Sequence, residues 1–177
     1  IRVLQCVNDM HRAGLETMLM NYIKYHRTKI QFDFLTHRPD KSDYDDVDLS
    51  LGGKVYYAPR LYPQNYPAYF KYMKKVFAEN PEYQIVHSHI DSMSYLLLLA
   101  AKKAGVPIRI AHSHNTSIDK DFKYILNSIL KEDTKAANYY CACGQEAGEF
   151  FISGKEFTFI PNAIEVDKFL YNEESKR

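Results

Sequence analysis

This 177-residue sequence is poor in cysteine and lacks any long apolar run, and each shortage excludes a class of protein. Its three cysteines are too few for a disulfide framework and leave one unpaired, which fits a reducing compartment. The longest apolar stretch, residues 95–101, is far shorter than the ~20 residues needed to span a bilayer. The chain also begins with the strand-like run IRVLQCV, with no basic leader before it. We therefore expect a cytoplasmic protein.

An excess of either charge is also missing. The 23 basic and 22 acidic residues leave a net charge of +1, so the composition gives no support for nucleic acid as a partner. With 46% hydrophobic residues, a chain of this length can bury one core and is short for two. We expect one domain over residues 1–165.

Short β-rich segments alternate with amphipathic ones along the whole chain. The predicted strands cover residues 1–7, 31–37, 54–59, 84–89, 108–114, 139–144 and 157–161. Strand, helix and strand at this spacing indicate repeated βαβ units, which place the strands in a parallel sheet with helices on both faces. The predicted fold is α/β: a doubly wound, mainly parallel, Rossmann-like sheet of about seven strands.

Apolar residues recur at helical spacing between these strands. The stripes are Leu15, Met18, Leu19, Tyr22 and Ile23; Tyr69, Met73, Val76 and Phe77; and Phe122, Ile125, Leu126 and Ile129. Each stripe predicts one buried helix face. The largely apolar segment 94–105 ends at Gly105 before Pro107, which is typical of a helix stop. The acidic segment 39–48 interrupts the alternation and predicts a solvated turn.

Two segments at predicted strand ends match each other, VHSHIDS and AHSHNTS. Residues two apart in a strand point the same way, so His87 shares a face with His89, and His112 shares one with His114. If the strands are neighbours, four imidazoles gather at the edge where α/β sheets bind ligands. We expect His87 and His112, deeper in their strands, to be packed with their ring nitrogens bonded to backbone. For His89 and His114 we expect proton transfer or ligand binding.

The same histidine pairs leave a metal site open as an alternative. Imidazole is a standard zinc ligand, and Asp91 and Asp119 could add carboxylates. H-x-H pairs occur in metal-dependent hydrolases built on (β/α)₈ barrels, a fold that needs ~250 residues, more than this chain has. Cys141 and Cys143 could also bind a metal or do redox work, but we expect two buried structural thiols.

The run VNDMHRAGLETML leads from the first predicted strand into the first helix. A dinucleotide site needs G-x-G-x-x-G, and only Gly14 is present, preceded by Ala13. The P-loop lysine is absent as well, so neither a nicotinamide cofactor nor an NTPase site is expected. What remains is a small-residue turn whose amides open a helix and can face an anion. Because Glu16 would repel a phosphate there, we expect it to cap the helix or to bind a hydroxyl.

Five runs of the sequence resemble, in order, the amino-terminal half of glycosyltransferase family 4. They are RAGLETMLMN, VHSH, HSHN, CACGQEAGEFF and FIPNAIEVDKF. The resemblance covers nearly the whole chain. It implies the GT-B architecture, in which two Rossmann-like domains face each other across a cleft. It also implies a retaining enzyme that moves a hexosyl unit from a nucleotide sugar to a glycan or lipid-linked acceptor in cell-surface polysaccharide synthesis. No metal or other cofactor is expected.

The resemblance further implies roles for individual residues. The implied catalytic residue is His114, and the implied donor- or acceptor-binding residues are Ala13, Gly14, Leu15, Glu16, His89, Asn115 and Asn162. Residues 13–16 match the family's glycine-glycine-x-glutamate elbow beside the donor diphosphate and the acceptor. His114 matches a strand-end histidine thought to contact the transferred sugar, and His89 a second one near the acceptor. Asn162 lies in the IPNAI stretch that leads towards the second domain.

The sequence departs from the family at several points. Ala13 and Ala163 stand where glycines are usual. No segment after Phe169 matches the carboxyl-terminal domain, which in the family holds most of the nucleotide-sugar site and its E-x7-E glutamates. We therefore expect residues 1–165 to be the acceptor-side domain, 166–177 to begin a linker towards the missing donor-binding domain, and the chain alone to have no useful activity. The alternatives are a non-catalytic sugar- or nucleotide-binding module and, behind it, the metal-dependent hydrolase.

Residues 56–75 interleave tyrosines with Lys71, Lys74 and Lys75. Such a segment could form an acceptor rim or a basic face against anionic lipid, which would give peripheral contact with the inner face of the membrane. The simpler interpretation is a packed helix with solvated lysines.

Overall fold

The computed structural model of the chain describes residues 1–26, 29–115, 136–152 and 154–162. The strands are β1 (Arg2–Cys6), β2 (Gln31–Thr36), β3 (Val55–Tyr57), β4 (Tyr83–Ser88), β5 (Ile108–Ser113), β6 (Tyr139–Ala142) and β7 (Thr158–Phe159). The helices are α1 (Gly14–His26), α2 (Asp45–Ser50), α3 (Tyr66–Glu79), α4 (Ser94–Lys103) and α5 (Gln145–Phe151), with 3₁₀ turns at Pro63–Asn65 and Asp91–Met93. Strands and helices alternate as the sequence pattern predicted.

The seven strands form one parallel sheet in the order β3-β2-β1-β4-β5-β6-β7. Leu4 of β1 lies opposite Asp33 of β2 on one side and Val86 of β4 on the other. The strand order therefore reverses between β1 and β4, and doubly wound sheets have their ligand crevice beyond the carboxyl ends at such a point. The predicted α/β, doubly wound fold is confirmed.

Alternation along the strands divides the core between the two faces of the sheet. Leu4, Cys6 and Leu35 pack with α3 and α4, while Phe34 packs with α1. The buried stripe residues are Met18, Leu19 and Ile23 in α1, and Tyr69, Met73, Val76 and Phe77 in α3, as predicted. Each fully buried side chain of this size contributes roughly 1.5–3 kcal/mol. Packing on this scale fixes where the helices begin, and so positions the loops that enter them.

The acidic segment 39–48 is only in part the solvated turn that its charge predicted, since residues 39–41, 43, 46 and 47 are exposed but its last residues are helical. Residues 45–50 form α2, and the side chains of Asp45 and Asp48 are buried. Oδ2 of Asp45 accepts hydrogen bonds from the Ser42 backbone N–H at 2.9 Å and from the Tyr57 hydroxyl at 2.5 Å. These donors replace water around the carboxylate, which is why a charge-rich segment can pack against the sheet.

Two predictions fall outside the described residues. They are the helix at Phe122–Ile129 and the domain boundary at residue 165 with its linker, 166–177. Among the helices that the structure describes, none combines the length and apolar character needed to cross a bilayer.

Candidate functional site

A cleft of about 860 Å³ opens beyond the carboxyl ends of β1, β2, β4 and β5. Six of the predicted site residues line it: Ala13, Leu15, Glu16, His89, His114 and Asn115. The elbow after β1 lies more than 70 residues in sequence from the ends of β4 and β5, and the parallel sheet brings all three to one wall. The cleft lies at the strand-order reversal, where the sheet topology predicts a ligand.

Two predicted residues stand apart from this lining. Gly14 begins α1 between two lining residues, and a Cβ added there would meet no atom within 4 Å. The surrounding protein therefore does not require glycine at this position. Asn162 is exposed, and the backbone carbonyl of its neighbour Pro161 accepts a hydrogen bond from the Tyr22 hydroxyl at 3.3 Å. Asn162 is not among the residues that line the cleft.

Glu16 lies in the first turn of α1 and is buried although it lines the cleft. Burial raises the pKa of its carboxyl above the usual value, and the nearby charge of Asp9 acts in the same direction. Its Oε2 atom has no hydrogen-bond partner among the described residues. A buried carboxylate oxygen without a partner is costly, so this atom is poised to accept a hydrogen bond from a ligand.

The four strand-end histidines form one cluster, as predicted for neighbouring strands, and the rings of His87 and His112 are nearly parallel. Neighbouring ring centroids lie between 4.1 and 5.2 Å apart. Nε2 of His87 lies 3.1 Å from Nδ1 of His112. Nδ1 of His89 lies 2.9 Å from Nε2 of His114. The predicted backbone partners of His87 and His112 were therefore wrong: strands ~4.8 Å apart bring the rings close enough to bond each other.

His89 is more deeply buried than its place at a strand end predicted. Its backbone N–H donates to the Cys6 carbonyl at 2.9 Å, which continues the pairing of β1 and β4 past the last strand residue. Its side chain is only 4% exposed, and its Nε2 lies 2.9 Å from Oε1 of Gln5.

All four imidazoles are uncharged near neutral pH. Burial lowers the pKa of His87 to about 3 and that of His114 to about 4. Burial also lowers the pKa of His112 to about 2 and that of His89 well below its usual value, and neighbouring imidazoles add to both effects. The cluster can therefore exchange hydrogen bonds with a polar ligand without bringing a charge to it.

Asp91 joins the exits of β4 and β5. Its Oδ1 accepts the backbone N–H of His114 at 3.1 Å, and its Oδ2 accepts Nδ2 of Asn115 at 2.5 Å. Its φ of 47° lies in the left-handed region, which is uncommon outside glycine. Burial raises the pKa of the Asp91 carboxyl, and these hydrogen bonds oppose that shift. The sequence suggested Asp91 only as a carboxylate ligand for a metal. In the structure its side chain instead holds His114 and Asn115 at the end of β5, and we call this contact the clamp.

Sequence reasoning missed Gln5, Arg38 and Arg60. Gln5 is a buried polar residue inside the apolar run IRVLQCV, and that pattern break was its one signal. Arg38 and Arg60 line the cleft from the loops after β2 and β3, and Nε of Arg38 lies 3.3 Å from Oδ2 of Asp9. The rule that ligands bind at carboxyl strand ends could have directed attention to both arginines.

The cluster is also where a metal ion could be held. Ring nitrogens of His87, His89 and His112 lie within 4.8 Å of one another, and the described residues add no carboxylate or thiolate to the group. Both ring nitrogens of His89 already have partners, so a metal would have to displace one of them. Nε2 of His87 and Nδ1 of His112 are paired with each other as well, so a metal would compete with that contact too. These donors do not fit a resident metal well.

The cysteine prediction is confirmed in part. Cys141 is buried and Cys143 half-buried, and neither is in a disulfide. The Cys143 thiol donates to the His114 carbonyl at 3.6 Å, and burial raises the pKa of both thiols. Cys143 thus helps to fix the exit of β5 as a weak donor.

The chain is similar in sequence to proteins named as glycosyltransferases. The sequence model of Glycosyltransferase Family 4 matches residues 12–168. EpsF of Bacillus subtilis (strain 168), a protein named as a glycosyltransferase, is 36% identical over 97% of this chain and 47% of its own length. The capsular polysaccharide biosynthesis glycosyltransferase CapH of Staphylococcus aureus is 30% identical over 76% of this chain and 36% of its own.

A solved structure shows a similar fold. The crystal structure of HepE from Anabaena, in complex with UDP and glucose, superposes with a TM-score of 0.72 at 14% identity. The match covers 98% of this chain and 47% of that one. The chain therefore spans about half the length of EpsF and of HepE, and less of CapH.

Proposed function

The chain belongs to Glycosyltransferase Family 4, and from that premise we propose that it is the acceptor-side domain of a retaining glycosyltransferase. The whole protein would move a sugar from a nucleotide-sugar donor to a glycan or lipid-linked acceptor in cell-surface polysaccharide synthesis. A second, donor-binding domain would close the cleft. The protein would work in the cytoplasm.

One observation carries the proposal: the elbow, Glu16, His114 and Asn115 meet in a single cleft at the strand-order reversal. Glycosyl transfer requires the departing diphosphate to be stabilised and the acceptor hydroxyl to be held against the anomeric carbon. The amides that open α1 suit the first task, and uncharged polar groups such as the histidine cluster suit the second.

The relatives support the same assignment. EpsF and CapH carry glycosyltransferase names, and CapH is named for capsular polysaccharide synthesis. The HepE complex holds UDP and glucose, which favours a nucleotide sugar as donor here. This chain covers about half of EpsF and HepE, and the proposed donor domain would correspond to the other half of those proteins.

Individual residues take the following proposed roles. His114 contacts the transferred sugar and assists catalysis. Glu16 binds an acceptor hydroxyl through its unpartnered Oε2, and Asn115 binds beside it. Asn162, outside the lining, would act only once the second domain is in place.

The test uses the full-length protein that contains this chain. It is incubated with nucleotide sugars and lipid-linked or glycan acceptors, and nucleotide release and product are followed. We expect transfer by the full-length protein, a loss of about 100-fold in kcat/KM for His114→Ala, and no turnover by residues 1–177 alone. Turnover by residues 1–177 alone would contradict the division of labour, and absence of transfer with any donor would favour a non-catalytic binding module.

Two finer points need their own measurements. A retaining mechanism predicts that the product keeps the donor's anomeric configuration, which NMR of the new linkage reads directly. A metal-independent mechanism predicts full activity after chelation with EDTA. Stoichiometric zinc by elemental analysis, together with EDTA inactivation, would favour the metal-hydrolase alternative.

The membrane contact proposed for α3 is electrostatic. The apolar stripe of α3 is buried in the core, which leaves its lysines outward, with Nζ of Lys75 lying 3.8 Å from Oε1 of Glu79. Flotation of the full-length protein with anionic liposomes, compared with charge reversal at Lys71, Lys74 and Lys75, tests it. Equal flotation of both proteins would rule out this face as a membrane contact.

A further inference from the structure

A chain of three side chains runs from the central strand to the cleft. Oε1 of Gln5 in β1 lies 2.9 Å from Nε2 of His89, and Nδ1 of His89 lies 2.9 Å from Nε2 of His114. Gln5 and His89 are 5% and 4% exposed, so water does not compete for these contacts. His114 is the one member with a half-exposed side chain, and it lines the cleft.

The direction of these hydrogen bonds follows from Gln5. Its carbonyl oxygen can only accept, so Nε2 of His89 carries the hydrogen. His89 is uncharged, so its Nδ1 has a lone pair and accepts from Nε2–H of His114. His114 is uncharged as well, and its single ring hydrogen is then on Nε2. Its Nδ1 is left as a bare acceptor.

That acceptor has no partner within the described chain. Nδ1 of His114 is buried and makes no hydrogen bond to a described residue. A lone pair is satisfied by a donor such as a hydroxyl, whereas a phosphate or carboxylate oxygen would be repelled by it. Had the amide of Gln5 donated instead, each bond would reverse and Nδ1 would present a hydrogen suited to a phosphate.

We propose that Gln5 and His89 are positioning residues that hold His114 in its Nε2–H tautomer, so that His114 receives a sugar hydroxyl and not a phosphate. The choice of a sugar hydroxyl as the ligand rests on the proposed function, whereas the tautomer of His114 follows from the hydrogen bonds alone.

His37 supplies an internal reference of the opposite kind. Its Nδ1 lies 3.1 Å from the Val7 carbonyl oxygen and must donate, while its Nε2 lies 3.2 Å from the Tyr69 hydroxyl and accepts. It is buried directly after the end of β2 in the same sheet. One spectrum of the protein should therefore show both neutral tautomers.

The experiment reads the tautomers without substrate, in the full-length protein labelled with ¹⁵N-histidine. Long-range ¹H–¹⁵N correlations distinguish protonated from unprotonated ring nitrogens, and a His114→Gln variant assigns the signals. We expect Nε2–H at His114 and Nδ1–H at His37. Gln5→Met should leave His114 as a mixture of tautomers with His37 unchanged, and Gln5→Glu, which keeps an acceptor oxygen, should retain the wild-type tautomer. Gln84→Met, at an exposed position of β4, is the matched control and should change neither ring.

Protonated Nδ1 at His114 in the wild type, or a Gln5→Met protein with an unaltered His114, would overturn the proposal. If Gln5→Met loses the His37 signals, its fold has changed, and the tautomer of His114 in the wild-type spectrum alone decides.

A uridine diphosphate sugar should shift the ¹⁵N signal of Nδ1 of His114, whereas inorganic pyrophosphate should not. The reverse result would refute the hydroxyl assignment. Gln5→Met should also lower kcat/KM about tenfold, with partial rescue in Gln5→Glu. The expected tautomer without sugar transfer would reject the proposed function and leave the positioning intact.

Discussion

The carboxylate of Asp91 joins the side chain of Asn115 at 2.5 Å and, through its other oxygen, the backbone N–H of His114 at 3.1 Å. One residue in a left-handed conformation thus holds the end of the neighbouring strand. The site depends on this contact because both partners line the cleft.

Asp91→Ala is expected to damage both stability and activity. It removes two hydrogen bonds and places alanine at a φ of 47°, which together cost about 2–4 kcal/mol of unfolding free energy. Asp91→Asn should be milder, since asparagine tolerates this conformation and keeps one acceptor for the His114 N–H. Thermal unfolding and kcat/KM of both variants measure the difference, and equal effects would argue against the clamp.

Glu16→Gln is expected to separate binding from folding. Loss of the charge relieves a buried carboxylate but also removes a favourable charge from the first turn of α1, so the unfolding free energy should change by less than ~1 kcal/mol. The acceptor KM should rise about tenfold if Glu16 binds a hydroxyl. Glu79→Gln, on the exposed end of α3, is the matched control. A clear loss of stability with an unchanged KM would indicate a capping role instead.

The histidine cluster should make the fold sensitive to acid. Burial lowers the folded-state pKa of these residues, to about 3 for His87 and about 4 for His114 and His37, so the unfolded chain binds protons first as the pH falls. Their stabilising effect on the fold is fully present above pH ~6.5 and is lost as the pH falls through the folded-state pKa values, down to about 3 for His87. Urea unfolding against pH should show this fall.

His37→Gln should reduce the slope of that fall by about one proton, because it removes one buried imidazole whose pKa is lowered in the folded chain. A flat unfolding free energy from pH 6.5 to 4.5 would mean that water reaches the cluster in the folded chain.

Asp48 should show the opposite pH dependence. Burial raises its folded-state pKa to about 8, aided by the charges of Asp33 and Asp45, and its Oδ2 has no partner among the described residues. Its contribution to the unfolding free energy is therefore fully present below pH ~4, where Asp48 is protonated in both the folded and the unfolded chain. That contribution is lost as the pH rises to about 8. Asp48→Asn should stabilise the fold by about 2 kcal/mol at pH 8 and by little at pH 4.

Asp33→Asn is the contrasting variant, since the Asp33 carboxylate is buried in an ion pair with Nε of Arg2 at 2.6 Å. It should destabilise the fold at pH 8 by about 3 kcal/mol. Stabilisation by both variants, or by neither, would contradict the conclusion that Asp48 is an unpaired buried carboxyl and Asp33 a paired one.

Much of the fold could be read from local pattern. Alternation of apolar segments predicted seven parallel strands, and the stripes of α1 and α3 predicted their buried faces, because burial of apolar surface follows the period of each element. Local pattern failed at residues 45–50, where three aspartates outweigh Val47 and Leu49 and predict a solvated turn. The burial of Asp45 and Asp48 depends on donors and neighbours supplied by the fold.

The candidate site divides in the same way. Strand-end chemistry and a family resemblance were enough to select Glu16, His89, His114 and Asn115 from the sequence, because parallel strands deliver their ends to one edge. Only the tertiary structure decided that His89 is buried between Gln5 and His114, that Asp91 clamps the edge, and that Asn162 lies outside the lining. Hydrogen-bond direction and burial depend on distances between strands that are far apart in sequence, and no local pattern encodes those distances.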